Sequence, residues 1–171
     1  WYLQREYLVD EISRRIRTDL SGAARLLYRF AEVYPQYLPM GGRWYIYMPN
    51  EFPNYNPIVE EVGPPYAITE PEVGVWSRWG YIDLLRVGKL ADAFGTLRKT
   101  DIFDKLSQEI GEDVEYAIEY QMIRPSVEFM RTSPITSHNM NPSHWEGLAK
   151  VGVALQEPDY VHEVVERIRF Y

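Results

Sequence analysis

Three histidines, His138, His144 and His162, are the side chains of this sequence best suited to acid–base or metal chemistry near neutral pH. His138 and His144 flank the loop HNMNPSH, with Glu146 and Asp159 as nearby acidic candidates. Two imidazoles and a carboxylate would suit zinc or iron. Their spacing matches no H-x-x-x-H helical site, however, and Asn and Ser in the same loop are ordinary turn formers. The loop therefore reads as structural, and His162 as a surface or boundary residue of the last helix. The absence of cysteine removes thiolate metal sites, iron–sulfur clusters, disulfides and a cysteine nucleophile. No G-x-S-x-G elbow, G-x-x-x-x-G-K-[ST] loop or G-x-G-x-x-G turn is present. The acidic run Glu109, Glu112, Asp113, Glu115 and Glu119 lacks the residue order of an EF-hand and reads as a solvated helix face. The expectation is a protein that is not an enzyme and holds neither metal nor cofactor.

Arginine offers a different chemistry. The lysines are only Lys89, Lys99, Lys105 and Lys150. On a helix through the N-terminal segment, Arg14, Arg25 and Arg29 project together, with Thr18, Ser21 and Gly22 between them and Arg17 at the margin. Arg78, Arg86 and Lys89 share a second basic face. Planar guanidinium forks beside small hydroxyl residues suit a phosphate backbone, so these positions are the candidate nucleic-acid contacts. The competing reading is two solvated faces, balanced by Glu11, Asp19 and Glu32 through i,i+4 pairs. A steep salt dependence of binding separates the two.

These side chains must be carried by helices. Val9, Ile12, Ile16, Leu20, Ala23, Leu27, Phe30 and Tyr34 recur at steps of three and four, which predicts one amphipathic helix over 1–34, ended by Pro35. At 1.5 Å per residue such a rod measures about 45 Å, longer than a compact domain of this size, so partial projection is expected. Prolines crowd 35–75, which reads as an extended connector with a candidate short strand at 43–48 and at most a minor β-hairpin. Residues 76–171 read as a helical bundle. Leu84, Val87, Ala91 and Phe94 form one stripe, and Asp101 and Gly111 bound a second helix. A third helix over 112–123 should break at Pro125. Ser143 with Glu146 looks like a capping box, and Pro158 opens a final helix with Val161, Val164, Val165 and Ile168 inward. The fold class is mainly α: a bundle with a long N-terminal helix and a Pro/Tyr-rich connector.

The chain has 171 residues and a net charge of −7, which taken whole disfavours nucleic acid. The charge is uneven. Residues 1–34 carry six Arg against five acids and 76–100 are basic, whereas 35–75 and 101–143 are acidic. Aromatics make up 15%, including 14 Tyr. Trp44, Tyr45, Tyr47, Phe52, Tyr55, Tyr66 and Trp76 are more than a connector needs, and are expected at a subunit interface. No apolar stretch approaches the ~18 residues of a membrane span.

The rod over 1–34, the arginine-bearing RRIRTDLSGAARLLYR face and the cysteine-free, tyrosine-rich composition resemble the helical coat proteins of filamentous archaeal viruses. Those proteins have a long N-terminal helix and a helical bundle, and wrap double-stranded DNA in an A-like form. The resemblance implies a virion subunit whose partners are copies of itself or a paralogous subunit, together with double-stranded DNA. Two other readings stand beside it: an accessory or adaptor subunit of a cytoplasmic complex, and a small enzyme with a site near His138 and His144.

Overall fold

A computed structural model of the chain describes residues 2–33, 81–131 and 141–170. The elements are α1 (Tyr2–Arg15), α2 (Leu20–Val33), α3 (Tyr81–Leu97), α4 (Ile102–Ile110) and α5 (Val114–Ile118). A π-helical turn (Glu119–Ile123), α6 (Arg124–Arg131), α7 (Asn141–Leu155) and α8 (Pro158–Phe170) follow. The protein is mainly α, with no strand among the described residues. The connector 35–75 and its candidate strand lie outside them.

The single rod expected over 1–34 is instead two helices. After Arg15 the chain tightens, with the Thr18 and Asp19 amides both donating to the Arg15 carbonyl, at 2.9 and 2.7 Å. Asp19 then starts α2: its carboxylate accepts from the Gly22 amide at 2.8 Å, as an N-cap does. This local capping outweighs the continuous apolar stripe. Nor does α1 project freely along its described length. Val9 and Ile12 are buried, α1 packs on α2 and α3, and Asp10 pairs with Lys89 of α3 at 2.9 Å. Burying a side chain such as Ile12 contributes about 1.5–3 kcal/mol towards docking the helix.

The most extensive helix–helix contact joins α3 and α7. Gly88 faces Gly147 and Gly95 faces Ala154, so the two helices run in the same direction. Small residues at a matching seven-residue spacing let the backbones approach over two turns. Leu84, Val87, Leu90, Phe94, Leu148 and Val151 fill the flanks of this seam, all buried. Phe94 stacks on Phe103 of α4, with centroids 5.5 Å apart, which fixes α4 against α3.

Three further expectations are corrected. Pro125 does not end its helix. The wide turn before it, in which the Arg124 amide donates to the Glu119 carbonyl, absorbs the missing donor and the ring, so helix resumes as α6. Ser143 and Glu146 form no capping box, because α7 already begins at Asn141 and Glu146 pairs with Lys150 at 2.8 Å. Val164 is buried, but Val165 and Ile168 are exposed. Gly111 does end α4, in the left-handed conformation at φ 84°. Asp101 sits at the N-cap of that helix without making the cap bond; its carboxylate pairs with Lys105 instead.

Candidate functional site

The densest polar structure among the described residues surrounds the π turn. Glu119, only 4% exposed, accepts from Nε and Nη2 of Arg124 at 2.9 and 2.7 Å. Arg98, just beyond α3, reaches Glu119 at 3.5 Å and Glu115 at 2.9 Å. Arg124 also holds Glu157, between α7 and α8, at 2.7 Å. Charges therefore alternate from Glu115 through Arg98, Glu119 and Arg124 to Glu157, tying together α5, the end of α3, the π turn, α6 and the link between α7 and α8. Burial disfavours the cation at Arg124, but the hydrogen bonds it donates to Glu119 and Glu157 overcome that and raise its pKa.

Sharing Arg124 with this network, the run from α5 through the π turn to α6 presents a ladder of flat groups. Tyr116 and Tyr120 stack with centroids 5.0 Å apart and planes 20° apart. The Arg124 guanidinium covers the Tyr120 ring at 5.0 Å. Four-residue spacing places all three on one helix face. Beside them lies an open cleft of about 300 Å³, lined by Arg98, Phe103, Asp104, Ser107, Asp113, Glu115, Tyr116, Glu119 and Tyr120. Asp113 caps α5, accepting from the Tyr116 amide at 2.9 Å, and Ser107 Oγ accepts from the Val114 amide at 3.1 Å. Exposed Asp104 has no ion-pair partner among the described residues. A cleft whose lining combines aromatic rings with four carboxylates against one arginine suits a flat cationic group.

Of the acidic run, Glu109, Glu112 and Asp113 are exposed, as a solvated face requires, whereas Glu119 is buried and several of the acids are paired. Glu109 forms a two-pronged pair with Arg25, one bond of 2.8 Å, and Glu112 accepts from the Tyr28 hydroxyl at 2.7 Å. Glu115 and Glu119 belong to the network. Burial, with help from the Glu112 bond, pushes the Tyr28 hydroxyl up to about 12.

The candidate nucleic-acid residues are divided among α1, α2, the turn between them and α3. Arg14 stands on α1, held by Glu11 at 2.7 and 2.8 Å, while Arg25 and Arg29 stand on α2. Arg29 pairs with Glu32 at 3.0 Å and Lys89 with Asp10. Arg17 and Thr18 occupy the exposed turn between the helices, Ser21 is exposed on α2, and Arg86 lies half-buried on α3. Arg78 and the interface candidates Trp44, Tyr45, Tyr47, Phe52, Tyr55, Tyr66 and Trp76 lie outside the described residues, as does His138. His144 is half-buried on α7; burial first, then nearby Arg167, lowers its pKa to about 4 against the opposing pull of Glu163. His162 is exposed on α8, as expected. Among the described residues no His, Asp and Glu cluster could hold a metal ion, and no helix is long and apolar enough to cross a membrane.

Sequence reasoning passed over Tyr116, Tyr120 and Arg124. Their signal, aromatic and arginine at four-residue steps, was present but masked by the acids between them. Compared with protein-family models, curated proteins and solved structures, the chain matches none.

Proposed function

We propose that this chain is a structural subunit of a multi-copy assembly, packing on copies of itself or on a paralogous subunit. The observation that carries the reading is the stacked pair Tyr116 and Tyr120, 52% and 51% exposed on the rim of a cleft. Single exposed apolar residues are commonplace, but paired aromatic rings already ordered by stacking present contact area at low entropic cost. Tyrosine and arginine are the residues that interfaces favour. Val153 on α7 and Val165 and Ile168 on α8 add further exposed apolar surface.

In its sharper form the assembly is a virion coat that packs double-stranded DNA in a helical filament. Ser21, Arg25 and Arg29 support it, since they still share one face of α2. Exposed pairs such as Arg29–Glu32 are worth about 0.2–1 kcal/mol, weak enough for a phosphate to displace. The broken rod weakens this form, because Arg14 belongs to another helix. Protein–protein packing needs none of these arginines and is the part proposed most directly. Mass in solution, together with the ultraviolet absorbance of the native particle, tests both. A multimer without nucleic acid supports the assembly and removes the DNA; a monomer removes both.

A further inference from the structure

The ladder beside the cleft is unfinished. Arg124 covers one face of Tyr120, Tyr116 covers the other, and the outer side of the stack ends on a half-exposed ring. The same cleft is lined by Asp113 and by Asp104, which has no ion-pair partner among the described residues. A guanidinium laid on Tyr116 would extend an arrangement the protein already uses at Arg124 and Tyr120, with carboxylates in reach of its N–H fork.

The same chain offers a matching group. Most described cations are already held by a carboxylate, including Arg14, Arg15, Arg25, Arg29, Arg98 and Arg124. Arg17 is not: it is exposed on the tight turn between α1 and α2, without an ion-pair partner among the described residues. Lys99 is also unpaired, but it follows Arg98 beside the cleft itself and has no planar head to stack.

Resting on the assembly reading above, we propose that the cleft at Tyr116 and Asp104 receives Arg17 from a second copy of this chain. Exchanged reciprocally between two copies, the contact closes a symmetric dimer; repeated in one direction, it generates a ring or an open chain of subunits.

Sedimentation velocity of the full chain over rising concentration tests this by charge exchange. Arg17→Asp and Asp104→Arg are each expected to weaken association roughly tenfold, as loss of one stacked ion pair would. Combining the two should restore part of it, since the opposite charges return but the incoming guanidinium on Tyr116 does not. Arg17→Lys, which keeps the charge and loses the plane, should recover only part. Circular dichroism should be unchanged throughout, since both positions are exposed. If the wild-type chain associates and Arg17→Asp associates equally well, or if the double variant shows no recovery, this contact is wrong and the assembly reading stands. A wild-type chain that stays monomeric overturns both.

Discussion

Gly88 of α3 and Gly147 of α7 meet backbone to backbone: a Cβ placed on Gly88 would lie 2.9 Å from the Gly147 Cα. A Cβ on Gly147 would run into the Leu84 carbonyl, which has no side-chain freedom with which to yield. In an exposed helix, Gly→Ala gains up to about 1 kcal/mol from helix propensity. Here overpacking, typically about 1–3 kcal/mol, opposes that gain and wins because rigid backbone is what is hit. Gly147→Ala and Gly88→Ala should both lower the urea midpoint, Gly147→Ala more. An unchanged midpoint for both would mean that α3 and α7 do not pack as described.

Glu119 is the hinge of the charge network. Glu119→Gln keeps the shape but leaves Arg124 with Glu157 and Arg98 with Glu115. Hydrogen bonds to charged groups contribute about 1.5–3 kcal/mol each, and two to Arg124 are weakened. The expected loss is about 2 kcal/mol in denaturant unfolding. The exposed pair Arg29–Glu32, removed in the same way, should cost less than about 1 kcal/mol.

Acid should destabilise the fold in two stages. The His144 pKa is lowered from 6.5 to about 4, so the native state favours the neutral ring. The unfolded chain then binds the proton first, and stability that is complete above 6.5 is lost as pH falls toward 4. Glu11, lowered from 4.5 to about 2 by hydrogen bonds from Arg14 and Arg15, loses its contribution only as pH falls from 4.5 toward 2. Glu109, lowered by Arg25, follows in that second stage. In His144→Asn the decline of the urea midpoint between pH 6.5 and 4 should flatten, while the lower stage remains. An equally steep upper stage in that variant would contradict the burial of His144.

Replacing Arg14, Arg25 and Arg29 together by alanine should leave the helical content intact, since none belongs to the buried core. If the assembly holds nucleic acid through them, the slope of log affinity against log salt should fall by roughly one per lost contact. An unchanged slope would assign the contact elsewhere.

How far the sequence alone revealed this fold depended on whether each signal was local. Gly111 after Ile110 and Pro158 after Glu157 marked helix ends correctly, because a left-handed residue and a fixed φ act within a turn. The break at 16–19 was missed because the stripe from Val9 to Phe30 keeps its helical period across it. Thr18-Asp19 and Gly22 held the opposing signal. Pro125 misled for the converse reason: one wide turn rescues a helix that the residue alone would end. The pairing of Gly88 with Gly147 joins positions far apart in the chain, so periodicity within either helix could not reveal it. The candidate cleft was hidden in the same way, its lining drawn from the end of α3, from α4, from α5 and from the π turn.

The central claim is that this chain is built to pack on others, and the mass of the purified, nuclease-treated chain in solution tests it most directly. The account predicts a mass that rises with concentration to multiples of 20.2 kDa. A single species at 20.2 kDa over the whole range would contradict it.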